Sequence, residues 1–201
     1  MLPVLGAEFL KSANLFSSSE CLAKPGPVPR APGVYGWYFK SLPPGVANGR
    51  CERRNGLFLL YVGIAPKAPP ANGGKASQQT LRSRIRYHFQ GNAEGSTLRL
   101  TLGCLLAKKL AISLRRVGSG KRMTFTAEGE RAISKWMAEN AKVCWMEHPA
   151  PWKVEETLIE TLSLPLNVQG NSHHPFCQTL RAIRAAAKES TSGSMCCGSS
   201  A

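Results

Sequence analysis

Apolar residues fall into two short β-rich runs early in the chain and into helical stripes later. Val34 to Phe39 (VYGWYF) and Leu57 to Val62 (LFLLYV) are dense in β-branched and aromatic side chains and flanked by glycine, which predicts two strands. The loop between them, residues 40–56, holds Pro43-Pro44-Gly45, Asn48-Gly49 and three arginines, Arg50, Arg53 and Arg54. Proline and glycine keep such a segment on the surface, so its arginines are candidate phosphate contacts or a solvated hairpin tip. From Gln78 to Phe89, Leu81, Ile85 and Phe89 recur every fourth residue and predict an amphipathic helix. Thr97 to Leu114 predicts a more apolar helix. Strands at Lys121 to Thr126 and Lys142 to Glu147 bracket a helix from Ala127 to Asn140, and Pro149 and Pro151 suit the first turn of a helix reaching Leu162. Phe176 to Lys188 predicts a final basic helix. The order β-β-α-α-β-α-β-α describes an α/β or α+β domain, a small mixed or antiparallel sheet flanked by helices.

Residues 1–29 close on the proline-rich stretch from Lys24 to Pro29 and read as an N-terminal extension leading into the first strand. Residues 30–170 form the expected domain, 171–188 a C-terminal basic helix and 189–201 a disordered tail with little to bury.

Helical geometry singles out two clusters. At about 100° per residue, Val154, Leu158, Ile159 and Leu162 define one apolar face; Glu155 falls inside that arc, whereas Glu156 and Glu160 lie on the polar side. A carboxylate on an inward face needs a partner, and an arginine or a metal ion are the two standard solutions. In the arginine-rich helix, Arg84 and His88 share one flank of the apolar stripe, and Arg82 and Arg86 occupy the other, where they are candidate nucleic-acid contacts. Arginine at such a boundary can grip a phosphate with its planar fork of donors, and histidine can move a proton near neutral pH.

Charge narrows the choice of partner. Lysine and arginine number 26 against 12 acidic residues, a formal net charge of +14. A surplus of this size favours polyanions, because each neutralised phosphate releases condensed counterions. The seven cysteines are scattered, with no CxxC pair and no zinc-type spacing, which suits reduced thiols in a cytoplasmic protein. No apolar run approaches the length of a membrane span.

The ordered set Gly33-Val34-Tyr35, Tyr61-Val62-Gly63, Arg84, His88, Glu155 and Asn167 resembles the GIY-YIG nuclease family. Glu155-Glu156-Thr157-Leu158-Ile159 fits that family's glutamate motif in register, and Leu81 to Phe89 is similar to its arginine helix. The resemblance implies a DNA endonuclease with Tyr35, Tyr61, Arg84, His88, Glu155 and Asn167 as catalytic residues and Glu155 as ligand of one Mg²⁺ or Mn²⁺. It favours DNA over RNA as partner and allows a homodimer, and it makes residues 96–140 an insertion. The two tyrosines and His88 are equal candidates for the water's proton, because Ile64 stands where some relatives place a lysine. Lys67 or Lys75 in the following loop would have to replace it. The same residues also describe a second possibility, a basic DNA- or RNA-binding module on this fold without turnover.

Overall fold

The computed structural model describes residues 4–11, 14–47, 49–70, 77–118 and 122–191. Asn48, Lys75 and the tail from 192 onward lie outside them.

A four-stranded antiparallel sheet organises the chain, in the order β2-β3-β1-β6. Its strands are β1 (Gly33–Phe39), β2 (Arg53–Arg54), β3 (Leu57–Ala65) and β6 (Ala141–Glu147). Every residue of β1 is buried, as a central strand covered on both faces requires. Around the sheet stand α1 (Val4–Lys11), α2 (Ser18–Leu22), α3 (Leu81–Gln90), α4 (Thr97–Leu110), α5 (Ala127–Asn140), α6 (Pro151–Thr161) and α7 (Phe176–Glu189). A separate two-stranded hairpin, β4 (Leu114–Arg116) with β5 (Met123–Phe125), lies between α4 and α5. The fold is therefore α+β with an antiparallel sheet flanked by helices.

Alternation along β1 divides the core in two. Val34 and Tyr38 join Phe9, Leu59, Val62, Val154 and Leu158 on one face, which α1 and α6 cover. Tyr35, Trp37 and Phe39 join Leu81, Ile85, Phe89, Ile133 and Trp136 on the other, beneath α3 and α5. A bulge interrupts the alternation on β3: Trp37 pairs with Tyr61 and Tyr38 with Leu59, leaving Leu60 without a partner on β1. Leu60 and Tyr61 consequently project into the same core cluster, and the strand bends at the second tyrosine.

Irregular chain pairs with β6 at one point and with the part of β3 that lies beyond the two-residue β2. Phe16 exchanges two backbone hydrogen bonds of 2.9 Å with Val143 on β6, and its ring stacks on Trp145. At β3, the Leu166 amide donates to the carbonyl of the bulge residue Leu60 at 3.0 Å. Beside it, the Asn167 side chain accepts from the Val62 amide and donates to the Val62 carbonyl, both at 2.9 Å.

Several elements differ from the sequence reading. Before β1, the chain folds into two short helices, α1 and α2, and Phe9, Cys21 and Val28 are buried in the core. The arginine helix begins at Leu81 because Thr80 and Ser83 form a reciprocal capping box. The next helix stops at Leu110, four residues before the expected end, because Ala111 adopts a left-handed conformation (φ 51°) that terminates it. The five described cysteines are buried and unpaired, and no described helix is long and apolar enough to cross a membrane.

Candidate active site

Glycine makes room for the first tyrosine. Tyr35 on β1 lies opposite Gly63 on β3, and a Cβ built on Gly63 would stand 2.6 Å from the Tyr35 hydroxyl oxygen. The ring can cross the neighbouring strand only because that side chain is missing. Gly33 serves β6 and α3 in the same manner, since a Cβ there would collide with the Met146 carbonyl and stand 2.7 Å from Leu81 Cδ1. The glycines of both tyrosine motifs thus have direct packing reasons.

The Tyr35 hydroxyl is 2.8 Å from His88 Nε2, and the opposite ring nitrogen, Nδ1, is 2.7 Å from Ser96 Oγ. His88 is fully buried, flanked by the rings of Tyr35, Trp37 and Tyr61. Burial, reinforced by the charges of Arg84 and Arg99, holds its pKa well below the ordinary value. It is a neutral imidazole enclosed by the fold, where the sequence also allowed a surface residue.

Arg84, half-buried on α3, donates to the Gly95 carbonyl at 2.6 Å and sets its positive charge beside Tyr35. Burial nevertheless pushes the Tyr35 phenol up to about 12, because the desolvation of a phenolate outweighs that charge. Tyr61 is also raised, again chiefly by burial, with Tyr35 and Glu155 adding repulsion and Arg84 and Arg184 opposing it. Two phenols, a carboxylate and two guanidinium groups therefore act on one another within a single region.

Glu155 sits near the start of α6, between buried Val154 and Leu158. Its neighbour Glu156 is exposed, as the helical geometry predicts. Among the described residues Glu155 makes no hydrogen bond or ion pair, and burial raises its pKa to about 7 against a small opposing effect of Lys67. A partly desolvated carboxylate that makes no hydrogen bond or ion pair among the described residues leaves its oxygens open to a cation. Among the described residues no three His, Cys, Asp or Glu side chains converge. A cation here would hold one carboxylate and fill its remaining positions with water and substrate oxygens, a donor set that suits Mg²⁺ or Mn²⁺.

Asn167 is buried, and both ends of its amide are engaged by Val62, the residue after Tyr61. Its geometry is that of a clamp on the β3 backbone directly after Tyr61.

The outlying arginines are mostly tied to backbone. Arg82 Nε donates to the Val28 carbonyl at 2.6 Å, and Arg86 donates to the Leu22 carbonyl at 3.1 Å. Arg54 donates to the Leu10 carbonyl, and Arg53 lies over the Phe58 ring at 4.5 Å. Arg50 is exposed. These side chains brace the N-terminal segments and the β2–β3 hairpin, which the charge pattern alone did not reveal. Lys67 is exposed and acts on Glu155; no effect on either tyrosine is resolved.

Two residues escaped the sequence reading. Arg184 on α7 is half-buried, and its charge reaches Tyr61 and Cys104. It follows buried Cys177 and Leu180 at helical spacing, the signal that could have marked it. Ser96 was recognisable as the cap of a helix, but its contact with His88 depends on tertiary folding.

No curated protein and no solved structure matches the chain. A family model of the GIY-YIG catalytic domain matches residues 33–186, more than half of the chain and a span that ends within α7. The tyrosine strands, Arg84, His88, Glu155 and Asn167 all fall within it, and the chain belongs to the GIY-YIG nuclease family.

Proposed function

We propose that the protein is a metal-dependent DNA endonuclease that hydrolyses phosphodiester bonds at a one-metal site. The observation that carries this reading is the Glu155 carboxylate, desolvated and without a hydrogen bond or ion pair among the described residues, in the electrostatic reach of Tyr35 and Tyr61. Glu155 would hold Mg²⁺ or Mn²⁺, which when bound supplies Lewis-acid stabilisation of charge on the phosphate and leaving oxygens.

The chain's own groups do the remainder. Arg84, fixed through Gly95, neutralises charge that grows on the scissile phosphate. Tyr35, held by His88, and Tyr61, held through the Asn167 clamp on its neighbour, orient the attacking water and the phosphate. Arg184 adds a second cation on the Tyr61 side. The net charge of +14 draws the DNA backbone toward this region and makes binding sensitive to salt. A cytoplasmic setting and a homodimer making paired cuts are compatible with this activity.

Cleavage of supercoiled plasmid by wild type and Glu155→Ala tests the reading. The expected result is metal-dependent nicking by the wild type and loss of cutting in the variant, with salt-sensitive DNA binding retained. A plasmid left intact by the wild type with both Mg²⁺ and Mn²⁺ from about pH 6 to 9, the interval spanning the raised Glu155 pKa, would sink it. DNA binding without turnover would then favour a non-catalytic module.

A further inference from the structure

The flank of α3 opposite Arg84 carries a cavity that none of the proposed catalytic groups lines. It measures about 470 Å³, a size usual for a small-ligand site. One wall is α3 itself, through Arg82 and Arg86, and the other is the chain between Cys21 and Arg30. Four cations line the cavity, Lys24, Arg30, Arg82 and Arg86, and no carboxylate does. Cys21 adds no negative charge, because burial pushes its thiol up to about 12. Among the described residues none of the four cations is in an ion pair.

The two arginines are braced but not saturated. Arg82 uses Nε on the Val28 carbonyl at 2.6 Å, and Arg86 uses one terminal nitrogen on the Leu22 carbonyl at 3.1 Å. A guanidinium carries five N–H donors, so each keeps several for a ligand. Because the braces fix both side chains in advance, binding needs little further ordering. The helix start contributes no free amide here: Leu81 and Arg82 donate to the carbonyls of Ala31 and Pro29, and Ser83 donates to Thr80 Oγ1. The pull on an anion therefore comes from the side chains. Two planar donor forks, with Lys24 and Arg30 exposed at the rim, suit the oxygens of a phosphate.

We propose that this cavity seats a backbone phosphate of the DNA strand whose scissile phosphate lies at Arg84. The helix favours a strand over a free phosphate. Arg84 and the Arg82/Arg86 pair flank the first two turns of α3, a separation of roughly 10–12 Å across a helix with its side chains. A strand advances about 3.4 Å per nucleotide, which puts the two phosphates on the order of three nucleotides apart. Residues 21–30 precede the family match, which begins at residue 33, so the N-terminal segment adds this contact to the domain. Its part in cutting rests on the proposed nuclease function, whereas its affinity for phosphate does not.

Nitrogen-15 spectroscopy of the full chain without divalent cation reads the arginine Nε–H signals. Those of Arg82 and Arg86 are the ones missing from Arg82→Lys and Arg86→Lys. Inorganic phosphate and a short DNA duplex are added separately, and each is expected to shift both signals. In Lys24→Ala/Arg30→Ala, which alters exposed rim side chains only, duplex affinity should fall, and the slope of log K against log salt should flatten by about 0.9, the value of one phosphate contact. Arg115→Ala/Arg116→Ala removes the same charge from exposed positions on β4 and should leave the Arg82 and Arg86 shifts as in wild type. Signals that ignore both probes overturn the proposal, as does a loss of response in the β4 variant equal to that in the rim variant. Shifts with inorganic phosphate but not with the duplex overturn the strand assignment. Should the rim variant fail to fold, the wild-type shifts decide. A protein that nicks plasmid while both signals ignore the duplex keeps the nuclease function and loses this contact; shifted signals in a protein that cuts no DNA do the reverse.

Discussion

The ring of Tyr35 occupies the space that a side chain on Gly63 would need. The contact joins the two tyrosine motifs physically, since a Cβ on Gly63 would come within 2.6 Å of the Tyr35 oxygen. Gly63→Ala is expected to cost about 1–3 kcal/mol through overpacking. Displacing Tyr35 by about 1 Å from His88 should reduce cleavage by about 10²-fold, a typical penalty for misplaced catalytic groups. Urea unfolding and plasmid nicking measure the two effects, and full activity in the alanine variant would show that the ring position is unimportant.

Asn167 joins residues 105 positions apart in the chain through two bonds to Val62. Asn167→Ala leaves a buried amide and a buried carbonyl unmatched, an expected loss of about 2–4 kcal/mol at roughly 1–2 kcal/mol for each group. Asn167→Asp keeps the acceptor but places a carboxylate beside the Val62 carbonyl, so it should recover little. Denaturant midpoints of the two variants check the prediction; an aspartate variant as stable as wild type would contradict it.

Glu155 ties stability to pH. Its pKa rises from the ordinary 4.5 to about 7 in the folded protein, so between those values the folded state binds more protons than the unfolded chain. Stability from this group is complete below about pH 4.5 and is lost as pH rises through about 7. Glu155→Gln should therefore match wild type near pH 5 and exceed it by roughly 1–3 kcal/mol near pH 8.5 without metal. If Glu155 holds Mg²⁺, the cation should stabilise wild type more at the higher pH and leave the glutamine variant unaffected. Melting temperatures at the two pH values decide; identical curves would show that Glu155 is already solvated or paired.

Arg99 and Glu130 form a buried ion pair at 2.7 Å that also serves the backbone. Arg99 donates to the His88 and Phe89 carbonyls, while Glu130 accepts from the Ala93 and Phe125 amides. Glu130→Ala should cost about 3–5 kcal/mol, because it strands a buried guanidinium. Adding Arg99→Met should restore only part of that loss, since the backbone groups remain without partners. Unfolding of the single and double variants distinguishes this from a simple ion pair, for which the apolar double would recover fully.

Periodicity revealed the parts of the fold whose pattern is long enough to read. The tyrosine strands follow from their β-branched and aromatic content between glycines, α5 and the glutamate helix from spacing, and Glu155 was separable from Glu156 by helical angle alone. Short elements left no such trace: β2 has two residues and β4 three, too few for alternation to register. Charge showed less of the folded arrangement: Arg82 and Arg86 each also donate to a backbone carbonyl, at Val28 and Leu22, more than fifty residues earlier, contacts that a charge pattern cannot display. The linkage of Tyr35, His88 and Ser96 was equally hidden, because it depends on how β1, α3 and the start of α4 meet.

The bridge between Phe16 and Val143 has a consequence for how copies of this protein treat one another. Without the segment around Phe16, Val143 in the middle of β6 would present a bare amide and carbonyl on the outer side, a foothold for pairing with a strand of another molecule. The segment around Phe16 thus shields the middle of that edge as well as lending its ring to Trp145, and shortening the chain past Phe16 would expose Val143 to strand pairing.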